Sequence, residues 1–203
     1  TPSYISDGTV LDRLFKSMIV TKFNYDDLLL GDRNAIMIWA RILGYGPEYN
    51  TKIVSPNNEM QPVTVDLNQV KNKEISYDFT ENEFKFTLPT SKHEITFKLM
   101  TVGMQKDIDA YIQRIKKMQK TESENLTTRL RYMIQSVNGN TDRAYINNFV
   151  PKILAIDSRA LREYIQKIQP DVDLTIEAVE ESTGKPFQSN FQLGLDLFWP
   201  DYK

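Results

Sequence analysis

The 203-residue chain has no cysteine and only one histidine. Without cysteine it can form no disulfide bond, no thiolate metal site and no thiol nucleophile. Its longest apolar runs are a few residues, far short of the roughly 20 that a membrane-spanning helix requires. No stretch has the pattern of a secretory signal peptide. These absences predict a soluble, intracellular protein that has no membrane partner.

The chain also lacks a strong net charge. It carries 25 Lys and Arg against 27 Asp and Glu, which gives a formal net charge of −2. No overall basic field therefore attracts nucleic acid, and no nucleic-acid partner is predicted. Hydrophobic residues make up 40% of the chain and aromatic residues 11%. That share is typical of a folded domain and excludes a disordered chain.

Helical and strand patterns occur in blocks, which predicts an α+β fold. We expect a single domain over residues 1–203, in which helical segments flank and interrupt a mostly antiparallel sheet. Its parts are a helical start at 1–48, a β region at 49–101, a helical part at 102–170 and a C-terminal hairpin at 171–203. The hairpin is expected to return to the β region and pair with its sheet.

Apolar periodicity and turn residues predict the individual elements. Helices are expected at 10–19, 32–43, 104–120, 126–137, 142–149 and 157–168. Four strands are expected in the β region, at 49–55, 62–67, 83–88 and 94–101. Two closing strands are predicted in "DLTIEAVE" and "NFQLGLDLFW", joined through "ESTGKP".

The second helix, in "GDRNAIMIWARILGYG", is apolar over more than half its circumference. Asp32 is placed to cap its start and Gly44 to end it. Trp39 shares a face with Ile36 and Leu43, which predicts that Trp39 is part of the core. We therefore expect Trp39→Ala to cost about 3–5 kcal/mol of stability.

Groups that could catalyse a reaction are few, and each has a simpler structural interpretation. His93 lies in a predicted hairpin turn, and the chain has no G-x-S-x-G motif to supply a nucleophile. Adjacent carboxylates such as Asp26–Asp27 and Glu180–Glu181 point to opposite faces of a strand, or into solvent from a loop. The sequence therefore predicts no catalytic residue and a protein that works through its surface. An enzyme remains a further hypothesis.

The helix predicted at 104–120 is the candidate partner surface. Its apolar stripe contains flexible methionines, which suit adaptable surfaces. The stripe could pack on the protein's own sheet, or it could receive an amphipathic helix from a partner. The candidate partner-binding residues are Met104, Ile108, Tyr111, Ile115, Lys116, Lys117 and Met118.

Several motifs occur in a fixed order along the chain. The segment "DGTVLDRLFKSMIVTKFNYDDLLLGDRNAIMIWARILGYGPEY" is followed by "ITFKLMTVGMQKDI", "LRYMIQSVNGNTDRAYINNFV", "DSRALREYI" and "LFWPD". In this order and spacing the sequence resembles the small baseplate hub proteins of T-even-type contractile-tailed bacteriophages. The resemblance covers nearly the whole chain.

The resemblance also implies two altered zinc knuckles. Many members of that family carry Cys-Pro-x-Cys after the Gly-Tyr-Gly turn and Cys-x-x-Cys-Gly near the C-terminus, which together would form a structural zinc site. Here Pro56 and Gly184 are retained, while the four ligand positions are occupied by Ser55, Asn58, Glu180 and Thr183. We therefore expect no metal and no other cofactor. The two hairpins that carry these turns are expected to contact each other.

In function, the resemblance implies a non-enzymatic phage tail protein that is required for baseplate hub assembly and acts through protein–protein contacts. One mechanism is a structural subunit that stays in the hub. The alternative is a transient chaperone that escorts a hub or tape-measure protein and is absent from the mature virion. Expected partners are other hub or tape-measure proteins, or further copies of the chain. The expected location is the host cytoplasm during assembly, and the tail baseplate of the virion for a subunit.

Overall fold

A computed structural model describes residues 13, 17, 19–20, 23–75, 80–117, 125–194 and 197–198. They form helices and antiparallel sheets, which confirms the predicted α+β class. The helix predicted at 10–19 lies largely outside these residues. The helices are α1 (Leu30–Tyr45), α2 (Val102–Lys117), α3 (Asn125–Met133), α4 (Arg143–Phe149) and α5 (Ala155–Ile168). The strands are β1 (Glu48–Val54), β2 (Met60–Asp66), β3 (Phe84–Thr87), β4 (Glu94–Phe97), β5 (Ile134–Val137), β6 (Thr175–Val179) and β7 (Pro186–Asn190).

The chain divides into two compact units. The hairpin unit comprises 1–23, 31–73 and 171–203, and the helical unit comprises 24–30 and 74–170. Each unit therefore draws on separate stretches of sequence. The expectation of one domain over 1–203 stays a prediction.

The hairpin unit contains two antiparallel hairpins, β1–β2 and β6–β7. β1 and β2 pair from Glu48–Asp66 to Val54–Met60, and their inward side chains are buried. Tyr49 lies among these, with its ring centroid 6.2 Å from that of Phe191. The predicted pairing of the last hairpin with the earlier sheet is wrong for the described strands, because β6–β7 forms its own two-stranded sheet.

The position of β7 also differs from the prediction. The partner of β6 is Pro186–Asn190, not the segment "NFQLGLDLFW". Gly184 has φ +69°, and its N–H donates to the carbonyl oxygen of Glu180 at 2.8 Å. This tight turn reverses the direction of the chain within a few residues, so the pairing of β6 with β7 starts directly beside the turn. Residues 191–194, which directly follow, lie outside the strand.

The helical unit is built on the sheet β3–β4–β5. Its core consists of buried side chains from β4, β5, the four helices of the unit and the segments next to them, namely Leu88, Ile95, Phe97, Leu99, Met100, Ile108, Leu130, Met133, Ile134, Val137, Ile146, Val150, Leu161, Ile165 and Ile168. The β3 residues Phe84 and Phe86 are partly buried and pack against this core. The prediction of helix over 126–137 is wrong at its end, because the chain leaves α3 at Met133 and pairs with β4. Ile134, Ser136 and Val137 are all buried there, and this tertiary burial outweighs the helical spacing.

The prediction that Trp39 is core is wrong. The side chains of Trp39 and Leu43 are 64% and 83% exposed, whereas Met37 and Ile38 on another face of α1 are buried. Because α1 is apolar around most of its circumference, periodicity does not determine which face meets the core. An exposed Trp39 also does not support the expected cost of about 3–5 kcal/mol for Trp39→Ala. Asp32 lies inside the first turn of α1, which starts at Leu30, so it is not the cap residue.

Candidate functional site

The first candidate site is the exposed face of α1, which consists of Ala35, Ile36, Trp39, Ile42 and Leu43. These residues recur at spacings of three and four, so they lie on one side of the helix. Trp39 and Leu43 project into solvent, and the other three are half-buried. We refer to this group as the α1 face.

A cavity of about 130 Å³ lies beside Trp39 within the hairpin unit. It is lined mostly by apolar side chains, namely Ala35, Ile38, Trp39, Ile42, Leu67, Val70 and Val172, with Asn68 and Asn72. A buried arginine secures the end of the helix. The Arg41 side chain donates from one terminal nitrogen to the carbonyl oxygen of Gly46 and from the other to that of Glu48, both at 2.8 Å. These hydrogen bonds therefore fix the end of the helix that carries the α1 face.

The candidate partner helix predicted at 104–120 corresponds to α2. Ile108 is fully buried and belongs to the core of the helical unit. Met104 and Ile112 pack against that core, and Tyr111 and Ile115 are half-buried. The centre of the stripe is thus core, and its edge reaches the surface. The side chains of Lys116 and Lys117, and all of Met118, lie outside the described residues.

The turn that carries Ser55 and Asn58 is closed by backbone hydrogen bonds. The N–H of Ser55 donates to the carbonyl oxygen of Glu59 at 2.8 Å, and the N–H of Asn58 donates to that of Ser55 at 2.9 Å. Asn58 has φ 62°, a left-handed conformation that asparagine tolerates better than most residues. The amino-acid types at this turn thus suit its geometry.

The turn that carries Glu180 and Thr183 has a similar arrangement. The N–H of Glu180 donates to the carbonyl oxygen of Lys185 at 2.9 Å. The hydroxyl of Thr183 donates to the carboxylate of Glu180, which is buried. Glu180 and Thr183, two of the four positions that the resemblance aligns with zinc ligands, therefore bind each other.

The two turns lie side by side in the hairpin unit. Gln61 joins them, because its side-chain nitrogen donates to the carbonyl oxygen of Val179 at 2.9 Å and its oxygen accepts from the N–H of Glu181 at 3.4 Å. The side chain of Asn57 donates to the hydroxyl of Ser182 at 3.3 Å. The predicted contact between the hairpins is confirmed. Their origin as zinc knuckles stays a prediction, and among the described residues no group of three or more His, Asp or Glu could hold a metal ion.

His93 and Asp157 occupy structural positions in the helical unit. The Nδ1 atom of His93 lies 2.8 Å from the side-chain nitrogen of Asn138, and its ring meets Phe149 edge-on at 5.1 Å. The buried carboxylate of Asp157 accepts from the N–H groups of Thr90 and Ser91 at 2.7 and 2.9 Å. Burial alone would raise the pKa of Asp157, but the hydrogen bonds from Ser91 and Thr90 outweigh it and hold the pKa below its ordinary value.

A cavity of about 470 Å³ opens in the helical unit. Side chains from three helices line it, namely Tyr111 of α2, Thr128, Arg131 and Tyr132 of α3, and Arg143, Asn147 and Asn148 of α4. We refer to it as the arginine cavity. Of these residues, sequence reasoning identified only Tyr111, and as part of an apolar stripe. The others are separated in sequence and ordinary in type, so no local pattern could have grouped them.

Comparisons with protein-family models, curated proteins and solved structures found no match to the chain. No helix among the described residues combines the length and the apolar character needed to cross a membrane.

Proposed function

We propose that the chain is a non-enzymatic protein of a contractile-tailed bacteriophage, and that it serves assembly of the baseplate hub through protein–protein contacts. The observation that carries the proposal is the α1 face. Trp39 and Leu43 lie in the motif "GDRNAIMIWARILGYG", which is part of the resemblance to hub proteins, yet their side chains are exposed. An apolar face that the fold does not bury is available to a partner.

The chemistry of the α1 face fits a protein partner. Fully burying a Leu side chain contributes about 1.5–3 kcal/mol, and Trp is enriched among the residues that dominate binding energy at interfaces. The face lies on a regular helix whose end Arg41 anchors, so little conformational entropy is lost on binding. The proposed partner is a hub or tape-measure protein with a complementary apolar surface. A stable contact of this kind buries roughly 1,200–2,000 Å² in total.

A complementation experiment tests the proposal. A phage whose copy of this gene is deleted would be supplied with the wild-type protein or with a Trp39→Ser, Leu43→Ser variant. Because both side chains are exposed, we expect the variant to fold and the yield of infectious particles to fall at least about tenfold. Ile156→Ser is the matched control, since Ile156 is an equally apolar and exposed residue of α5. Full complementation by the α1 variant would contradict the proposed role of this face.

The same phage separates the two assembly mechanisms. Mass spectrometry of purified virions should find the protein in stoichiometric amounts if it is a hub subunit. Its absence from virions, together with its requirement for infectious particles, would favour the transient chaperone. A deletion phage that assembles normal tails without the protein would contradict both mechanisms.

A further inference from the structure

The arginine cavity has an unusual balance of charge. The lining residues that the structure describes are two arginines, two tyrosines, two asparagines and a threonine, and none of these carries a carboxylate. Neither Arg131 nor Arg143 forms an ion pair with any residue that the structure describes. The chain as a whole is slightly acidic. Two cations that no described carboxylate pairs with therefore line one cavity.

Arg131 is the residue with unused binding capacity. Its Nε atom is buried and has no hydrogen-bond partner. A buried N–H donor without an acceptor is costly, and the cost is greater for a charged group. Arg131 lies on α3 between Leu130 and Met133, two residues of the core, so its backbone position is fixed. Because the Nε atom is itself enclosed, a ligand in the cavity would meet the remainder of the Arg131 guanidinium, which lines the cavity.

Hydrogen bonds hold the Arg143 guanidinium in place before any ligand binds. One of its terminal nitrogens donates to the carbonyl oxygens of Ile134 and Arg131 at 2.8 and 3.2 Å. The other lies 3.4 Å from the side-chain oxygen of Gln135. These hydrogen bonds satisfy N–H donors of Arg143. Because the three acceptors are neutral oxygens, they do not cancel its positive charge. The guanidinium therefore contributes a fixed positive potential to the cavity without having to reorganise on binding.

We propose that the arginine cavity binds an oxyanion, a carboxylate or a phosphate group. Arg131 would donate a charge-assisted hydrogen bond to it, and Arg143 would add electrostatic attraction. The side-chain amides of Asn147 and Asn148 and the hydroxyl of Thr128 lie on the walls as further hydrogen-bonding groups. A volume of about 470 Å³ falls in the range of about 300–1,000 Å³ that is usual for ligand sites.

The oxyanion could come from an acidic side chain of a partner protein or from a small phosphate compound. Both sources offer the same recognition chemistry, an acceptor oxygen pair or triad that matches guanidinium donors. The site lies in the helical unit and uses none of the residues of the α1 face. Its existence is therefore independent of the proposed function.

The test measures binding by the full-length protein at low ionic strength. The probes are inorganic phosphate and a short peptide of glutamates, and sodium chloride at matched ionic strength is the control. We expect calorimetric titration to show binding of at least one probe, and the melting temperature to rise with its concentration because it binds the folded state. Tighter binding of the peptide identifies a partner side chain as the source, and tighter binding of phosphate identifies a small compound. Binding of neither probe would overturn the proposal.

Three variants locate the site. Arg131→Gln removes the charge and should weaken binding at least about tenfold, since hydrogen bonds to charged groups are the stronger ones. Arg129→Gln is the matched control, because Arg129 is exposed on the same helix and is not part of the lining, and its affinity should be unchanged. Asn148→Asp changes an exposed residue and places a negative charge at the cavity, so binding should also fall at least about tenfold without loss of fold. Equal affinity in all three variants would overturn the proposal.

Discussion

At the scale of single residues, two buried charged side chains form hydrogen bonds with backbone groups. These backbone groups lie in connections or at strand ends, where the hydrogen bonds hold the chain in place. Arg41 donates to the carbonyl oxygens of Gly46 and Glu48 where α1 passes into β1. Asp157 accepts from two N–H groups in the turn between β3 and β4. Neither role could be predicted from the sequence, because Arg and Asp on an amphipathic helix usually face solvent. Only the tertiary position of each helix shows what the side chain binds.

Asp157→Asn should destabilise the protein. Asparagine keeps the shape of the side chain but replaces one acceptor oxygen with an NH₂ group, which cannot accept from Thr90 or Ser91. Hydrogen bonds to a charged group are worth more than neutral ones, so we expect the melting temperature to fall by roughly 3–10 °C. Thermal unfolding followed by circular dichroism measures the change. Asp107→Asn, at an exposed position of α2, is the control and should leave the melting temperature unchanged.

The contribution of Asp157 should also depend on pH. Its pKa in the folded protein lies below the ordinary value of 3.8, so the folded state favours the charged carboxylate. The stabilisation is therefore present above the unfolded pKa and is lost as the pH falls through the folded pKa. The difference in stability between wild type and Asp157→Asn should be constant from pH 7 to about pH 5 and should narrow below about pH 4. A difference that widens on acidification would contradict this role.

At the scale of elements, the sequence predicts those helix and strand bounds that neighbouring residues determine. β1 and β2 lie within two residues of their predicted bounds, because apolar and polar residues alternate between a turn at Ser55–Glu59 and polar ends. α4 begins directly after Asp142, whose side chain accepts from the N–H of Ala144 at 3.1 Å as a cap. Capping and alternation are properties of a few neighbouring residues, so one sequence is enough to find them.

Elements that depend on distant contacts were predicted wrongly. β5 has the apolar spacing of a helix, but Ile134 and Val137 are drawn into a sheet whose other strands lie some forty residues earlier, roughly the separation of the pair Ile95–Val137. In α1, apolar residues surround most of the helix, so the buried face is chosen by what packs on it. In both cases the deciding contact is tertiary.

The orientation of α1 predicts different stability losses for substitutions at two of its positions, 37 and 39. Met37 is 2% exposed and Trp39 is 64% exposed. We expect Met37→Ala to lower the free energy of unfolding by about 2–5 kcal/mol, since it leaves a cavity in a packed interior. Trp39→Ala should lower it by less than about 1 kcal/mol. Urea unfolding of the two variants measures both values, and a larger loss for Trp39→Ala would restore the prediction that Trp39 is core.

At the scale of the whole molecule, one candidate site was predictable from the sequence and another was not. The contact between the hairpins was predictable, because the resemblance placed two turns at one common site. The arginine cavity was not, because its residues lie between 111 and 148 on three helices and the net charge of −2 conceals a local basic region. Global composition excludes a protein-wide field, but it does not exclude a small site of the opposite sign.

Residues 74–170 should fold without the rest of the chain. All fifteen buried residues of the helical core lie within this stretch, from Leu88 to Ile168, as does the sheet β3–β4–β5. A segment with its own core satisfies the physical requirement for an independent domain. The fragment would lose the hydrogen bond from the N–H of Val102 to the carbonyl oxygen of Leu28, so α2 should fray at its start. We therefore expect a cooperative melt at a lower temperature than that of the full chain, measured by circular dichroism, with dispersed amide signals in NMR spectra. The same fragment with Ile165→Asp, which buries an unpaired charge, should be unfolded. A wild-type fragment as disordered as that variant would contradict the prediction and would show that residues 74–170 need residues 24–30 or the remainder of the chain in order to fold.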